Sequence, residues 1–530
     1  MKSFYLLLSR FLMLMVIFLL ISSCQPKQQA IIKPDFNDFK FLEKDIAFFQ
    51  KAYENEELSV KEVVQAYLNR INQIDQSGPM LNSFIYVNPK AIEEAEKLDA
   101  DYILGKPKGP LFGIPIVLKD NIDTYDMPTT AGSRALKGSY PLKDSYVAQK
   151  LREAGAVIIG KSNLSEWANF RGEMSTSGWS GLGGQTKNPY VLDRNPCGSS
   201  SGSGVAVSAN LTVLAIGTET NGSIVCPSHI NGIVGIKPTV GLLSRSGIIP
   251  ISFTQDTPGP MARSVSDAAI CLGALVGVDS SDSKTLESGG HSLTDYTSFL
   301  NKEGLKGKKL GFLTAYNGIH YKVDEVMKET IEFLKNEGVE IVEISSIYPP
   351  EIQTYSFEVM LMEYRDGLNA YFASLGENAP IKKLEDLIAF NKTDSIELQH
   401  FNQTYLEMAL EKEGMDSEIY QETLMKMLRG AREDGMDKVM DEFGLDAIIA
   451  PTSGPAWKTD YINGDSYHFG SSSPAAISGY PNITVPMGFI GDVPVGISFF
   501  GRAWSEGQLI EIAYAYEQAS QKRAFPIFIE

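Results

Sequence analysis

Residues 171–204 are crowded with Gly, Ser, Asn and Pro and show almost no hydrophobic periodicity, yet core-like sequence flanks them on both sides. A structureless stretch of this length inside a compact domain is usually functional. It ends in Pro196-Cys197-Gly198-Ser199-Ser200-Ser201-Gly202-Ser203-Gly204, followed directly by the apolar run Val205 to Ile216. A flexible Gly/Ser linker is the plainest reading of such a segment. Linkers separate domains, however, and here both sides read as core. Any fold for this chain must pass a small-residue loop through its interior.

Gly198-Ser199-Ser200-Ser201-Gly202 also fits G-x-S-x-G, the nucleophile elbow. That motif needs a buried strand just before the serine. Residues 188–196 hold two prolines and several turn formers, so they cannot supply a central strand. A third reading comes from downstream. Gly217-Thr218-Glu219-Thr220-Asn221-Gly222-Ser223-Ile224 is a second small-residue turn after an apolar strand. Its successive N–H groups, unobstructed by large side chains, can form an oxyanion hole. Upstream, Phe112 to Leu118 is an apolar run that ends at Lys119. Burial there would lower the lysine's pKa and free a neutral amine as base. Two serines and a lysine form a variant of serine–base catalysis.

Around these turns the pattern is that of an α/β protein. Ser59-Val60-Lys61-Glu62 is a capping box, and Val63, Tyr67, Leu68, Ile71 and Ile74 follow at helical spacing. A helix is expected over 145–153 and a strand over 156–159. Further strands are expected at 211–216, 310–313, 341–343 and 447–450. Alternating strands and helices indicate a largely buried, mixed sheet. Residues 280–440 are mostly helical in pattern and read as an insertion, or cap, on a single domain over 41–525.

The chain has 530 residues, five His, four Cys and a formal net charge of −18. An acidic surface argues against nucleic acid as a partner, because phosphate binding needs clustered Lys and Arg. The His are scattered without metal-ligand spacing, so neither a metal nor another cofactor is expected. Three of the cysteines, Cys197, Cys226 and Cys271, make no disulfide framework, and Cys197 and Cys226, which flank the two serine turns, read as packing residues. His229 reads as structural. Lys2, Arg10 and the apolar run Phe11–Ile21, ending in Ile21-Ser22-Ser23-Cys24, resemble a lipoprotein signal. This predicts a signal peptide over 1–23, lipidation at Cys24, a tether over 24–40, and an exported protein held at a bacterial membrane by its lipid anchor.

Gly113-Ile114-Pro115-Ile116-Val117-Leu118-Lys119-Asp120-Asn121, the two serine turns and the stretch beginning Asn231-Gly232-Ile233-Val234-Gly235-Ile236-Lys237-Pro238 together resemble the amidase signature family. Ser223 follows Ser199 by 24 residues, and Lys119 precedes Ser199 by 80, which is similar to that family's triad spacing. The likeness spans roughly 40–520 and is most specific over 113–265. Residues 217–227 are most similar to a bacterial peptide-amidase branch.

The resemblance implies a large, twisted, mixed sheet with helices on both faces. It implies Ser223 as nucleophile, Ser199 as relay on a cis peptide and Lys119 as base. The backbone N–H groups of Thr220, Asn221, Gly222 and Ser223 would form the oxyanion hole. The substrate would be a peptide amide or small amide, hydrolysed with release of ammonia and without an obligate protein partner. The departures are Cys197 and Ser201 in the first turn, Glu219 in place of the usual Asp, and Val225 in place of an Arg. The missing Arg puts substrate contacts in doubt. Two alternatives are the amidotransferase subunit acting on tRNA-linked Glu, and an inactive binding lipoprotein on the same scaffold. The charge counts against the first and retention of all three triad residues against the second.

Overall fold

Ser59 opens the first long helix, α1 (Val60–Arg70), as the capping box predicts. Its hydroxyl accepts from the Glu62 N–H at 3.2 Å, and Glu62 returns the bond to the Ser59 N–H at 2.9 Å. Val63, Val64 and Tyr67 bury the inner face. This computed structural model describes Phe36 and residues 38–530. The expected signal, Cys24 and most of the tether lie outside the described residues. Phe41–Glu530 form one compact unit.

The centre of that unit is a mixed sheet of eleven strands. In chain order they are β1 (Phe84–Val87), β2 (Pro115–Lys119), β3 (Val157–Ser162), β4 (Leu214–Glu219), β5 (Val234–Lys237), β6 (Thr257–Ala262), β7 (Lys309–Leu313), β8 (Glu340–Ile344), β9 (Ala447–Pro451), β10 (Asn482–Ile490) and β11 (Val493–Phe500). Their spatial order is β1-β3-β2-β4-β6-β5-β10-β11-β9-β7-β8. β2 runs parallel to both β3 and β4. Every residue of these three strands is buried, which is why they read as continuous apolar runs rather than alternating ones.

The expected strands are present within a few residues, and α2 (Tyr146–Glu153) starts at its Ser145 cap. Three features differ from the sequence reading. The strand expected at 211–216 is β4 at 214–219, and the first half of the apolar run 205–216 belongs instead to α3 (Ser201–Ser208), after which the chain turns at Asn210. The cap is narrower than 280–440, because β7 and β8 fall inside that range and belong to the sheet edge. Its main helix, α4 (Glu351–Ser374), packs Leu361, Tyr364, Leu368 and Phe372 with Trp167, Phe170, Ile249 and Ile251. Finally β6 is an interior strand despite Pro258 and Pro260. Pairing with β5 reaches only Met261 and Ala262, so that edge of β6 needs no donor at either proline.

α3 is made of small residues because it is buried throughout. A Cβ at Gly202 would lie 2.2 Å from the Ser83 carbonyl oxygen and 2.6 Å from that of Asn163. Both are backbone atoms that cannot swing aside. Gly202→Ala should therefore lower the unfolding free energy by about 1–3 kcal/mol through overpacking. Urea denaturation checks this; a wild-type midpoint would mean that α3 sits farther from those carbonyls.

Candidate active site

Lys119 ends β2, at the carboxyl edge of the parallel part of the sheet, and is fully buried. Its Nζ lies 2.7 Å from Ser199 Oγ, 2.8 Å from Thr218 Oγ1 and 3.1 Å from the Thr218 carbonyl oxygen. An ammonium can donate to all three. A neutral amine can donate to the two Thr218 oxygens and keep its lone pair toward the Ser199 hydroxyl. Burial favours the second state, taking the amine down from the ordinary 10.5 to about 7, while the charges of Asp256 and Glu219 pull the other way.

Ser199 follows the cis peptide bond Gly198–Ser199 and is itself fully buried. Its carbonyl accepts from the Ser165 N–H at 3.0 Å. The other serines of the segment are also engaged. Ser200 Oγ donates to the Thr218 carbonyl at 3.1 Å, Ser201 Oγ to the Cys197 carbonyl at 2.6 Å, and Ser203 Oγ meets Ser162 Oγ at 2.8 Å. A flexible linker would leave these hydroxyls to water.

The second turn leaves β4 at Glu219. One carboxylate oxygen of Glu219 accepts the N–H groups of Ile224 (2.8 Å) and Val225 (3.0 Å), closing the turn around Ser223. Gly222 has φ +87°, a conformation that disfavours a side chain. Asn221 is held by Ser473, to which its amide donates at 3.1 Å, and by Ser472, whose hydroxyl donates to its Oδ1 at 2.7 Å. The two turns meet where the Ser200 N–H donates to the Ser223 carbonyl at 3.2 Å. A disulfide also joins them, from Cys197 to Cys226 across a Cα–Cα distance of 6.0 Å. This corrects the reading of both cysteines as packing residues. They lie 29 positions apart and are brought together only when the two turns meet.

Thr220, Asn221, Gly222 and Ser223 line a cavity of about 690 Å³ together with Gly198 and the disulfide cysteines. Phe170, Tyr405, Trp457 and Tyr467 supply aromatic walls. No Lys, Arg or His is among the described residues lining it. Asp465 is there, but its carboxylate accepts from the Ser177 N–H, Trp457 Nε1 and Asn195 Nδ2 and so serves the wall. His229 is buried away from this chemistry. The Gly496 N–H donates to its Nδ1 at 2.6 Å, so the proton sits on Nε2 and is donated to the Gly454 carbonyl at 2.9 Å. Sequence reasoning missed Thr218, Asp256 and the residues near 457–473, whose partners are distant in the chain.

The family model for amidases matches residues 62–510. The chain belongs to the amidase family. A relative from Arabidopsis thaliana named as an amidase is 40% identical over 510 residues, covering 93% of both chains. Another from Schizosaccharomyces pombe is 34% identical, covering 91% of this chain and 86% of the relative. Glutamyl-tRNA(Gln) amidotransferase A subunits match as well. Among solved structures, the native peptide amidase of Stenotrophomonas maltophilia is 46% identical with a TM-score of 0.87, covering 92% of this chain and 99% of that one. The fold expected from the sequence, a large mixed sheet flanked by helices, is the fold of this amidase family.

One expectation is overturned. Export as a bacterial lipoprotein anchored through Cys24 is contradicted by the plant and fungal amidases to which the chain is similar. The pattern behind it was only four residues long beside a short apolar run, too little to specify an anchor.

The disulfide has a direct check. Denatured, unreduced protein should titrate two thiols fewer than the reduced protein. Equal counts would show that Cys197 and Cys226 are unpaired.

Proposed function

We propose that this amidase hydrolyses the terminal carboxamide of peptide amides or small amides through an acyl-enzyme on Ser223. The observation that carries the reading is the buried Lys119 amine, whose proton affinity is brought to about 7, with Ser199 Oγ 2.7 Å away.

Ser223 Oγ attacks the amide carbonyl and passes its proton to Ser199, whose own proton goes to the neutral Lys119. The carbonyl oxygen becomes an oxyanion facing the N–H groups of Thr220–Ser223. One such donor is typically worth about 3 kcal/mol in the transition state. Lys119, now an ammonium, returns the proton through Ser199 to the departing nitrogen, and ammonia leaves. Water then repeats the sequence on the ester, with the same lysine as base, and frees the acid and Ser223.

The cavity supports the substrate class. Its aromatic and small polar lining suits a peptide backbone with an apolar side chain, and the fold neighbour named as a peptide amidase is similar over nearly its whole length. Glutamine carries an α-carboxylate beside its amide. With Glu173 and Asp465 but no Lys, Arg or His among the described lining residues, that carboxylate would find no cationic side chain to pair with.

Ser223→Ala and Lys119→Ala should each lower amide hydrolysis on the order of 10³-fold or more, with unfolding midpoints retained. An active Ser223→Ala protein would rule out the mechanism. Because Lys119 works only as the neutral amine, kcat/KM should rise as pH increases through about 7 and then level off. A profile flat from pH 5 to 9 would exclude lysine as the base. In ammonia-release assays, N-acylated peptide amides should outrun glutamine, and the reverse order would refute the substrate assignment.

A further inference from the structure

Thr220 opens the turn that carries Ser223. Its hydroxyl donates to Asp256 Oδ1 at 2.6 Å. The other oxygen of the same carboxylate accepts the N–H groups of Ile251 (2.8 Å) and Ser252 (2.9 Å). Asp256 thus ties the turn after β4 to the turn that precedes β6. Both ends of this tie border open space. Thr220 and Ile251 line the substrate cavity, and both also line a second cavity of about 310 Å³ on the Asp256 side. Thr218, which bonds the Lys119 amine, and Asn121, whose amide donates to the Thr218 hydroxyl, line that second cavity too. The wall carrying the oxyanion donors is therefore thin, and the carboxylate braces it from behind.

Two carboxylates act on Lys119: Glu219, at the end of β4, and Asp256. Asp120, next to the lysine, turns instead to Thr130 and Lys161. Asp256 itself faces the Arg245 guanidinium, the Glu363 carboxyl and the Tyr364 phenol across its own surroundings. Burial raises its pKa, against the hydrogen bonds from Thr220, Ser252 and Ile251.

We propose that Asp256 is a positioning residue for the hydrolysis: its carboxylate ties Thr220 to the turn at Ile251 and Ser252, and so fixes the N–H groups of the turn that carries Ser223. The inference rests on the reading of Ser223 and Lys119 given above. An oxyanion hole works because its donors are fixed before the charge develops. A loop released by about 1 Å loses on the order of 10²-fold in rate. The tie lies behind the donors and leaves the aromatic walls of the cavity in place, so the loss should fall on kcat rather than KM.

The experiment compares Thr220→Val, Thr220→Ser, Asp256→Asn and Ser223→Ala in the full chain with one peptide amide. Thr220→Val removes the hydroxyl and keeps the shape; kcat should fall roughly 10- to 100-fold with KM near wild type and the acid limb unmoved. Thr220→Ser keeps the hydroxyl and should restore most of the rate. Asp256→Asn replaces one carboxylate oxygen by an amide nitrogen that cannot accept, so the tie to Thr220 or to the Ile251–Ser252 turn is lost and kcat should again fall with KM near wild type. A purely structural role would lower stability without this split of kcat from KM. Wild-type kcat in Thr220→Val, or a rate that Thr220→Ser does not restore, overturns the inference while an inactive Ser223→Ala leaves the underlying mechanism standing. An active Ser223→Ala removes the mechanism and the inference together.

Discussion

The site depends on the enclosure of the Lys119 amine. An ammonium at a fully buried position is expensive unless paired, and no carboxylate touches it. The economical state is the neutral amine, and the three oxygens around Nζ suit it: two accept, and one belongs to a hydroxyl that can donate. Sheet order creates this enclosure. β2 lies between β3 and β4, so the lysine at its end is walled by neighbouring strands, and the turn that leaves β4 passes directly over it. The carboxyl ends of parallel strands are where open α/β sheets place their ligands. Here the same edge places Lys119, the base in the proposed mechanism.

Two turns must then converge over one amine, and several independent ties bring them together. Ser200 bonds to the Ser223 carbonyl, Asn231 Nδ2 donates to both the Pro196 and Pro227 carbonyls, and the Cys197–Cys226 bridge spans the remaining gap. Small residues are required on both sides because the backbones approach closely. At Gly202 an added methyl would reach two carbonyls, and at Gly217 it would reach Ser200 Oγ and Met261 Sδ at 2.8 Å each. What looks like low-complexity sequence is dense packing written in small letters.

This explains what the sequence disclosed and what it hid. β2, β3, β7 and β9 were legible because buried strands read as short apolar runs bounded by turn formers. α3 was not, since a helix buried on every side has no polar face and shows no 3.6-residue period. β6 was masked by Pro258 and Pro260, tolerable only because β5 is short. The hairpin β10–β11, with Pro486, Gly488 and Pro494 in its ladder, carries the same disguise. Motif and spacing singled out Lys119, Ser199 and Ser223, and the structure places the Lys119 amine on the Ser199 hydroxyl. Thr218, Asp256 and the disulfide were not legible, because their roles exist only once distant segments meet. The Cys24 pattern erred in the opposite direction, as a local signal with no long-range check.

His229 shows why a lysine suits this interior. Burial lowers the proton affinity of both cations, by the same desolvation. It takes His229 from the ordinary 6.5 to about 4, and both of its ring nitrogens are committed to backbone groups. A histidine so placed is too weak a base near neutral pH. The same penalty takes Lys119 from 10.5 to about 7, which is where a general base works best. A deeply buried site built from backbone turns and small residues therefore favours a lysine with a serine relay over an imidazole, which would need a carboxylate partner to hold its basicity. The carboxylates that this site does provide, Glu219 and Asp256, bond to the turns rather than to the base, and adjust it only through their field.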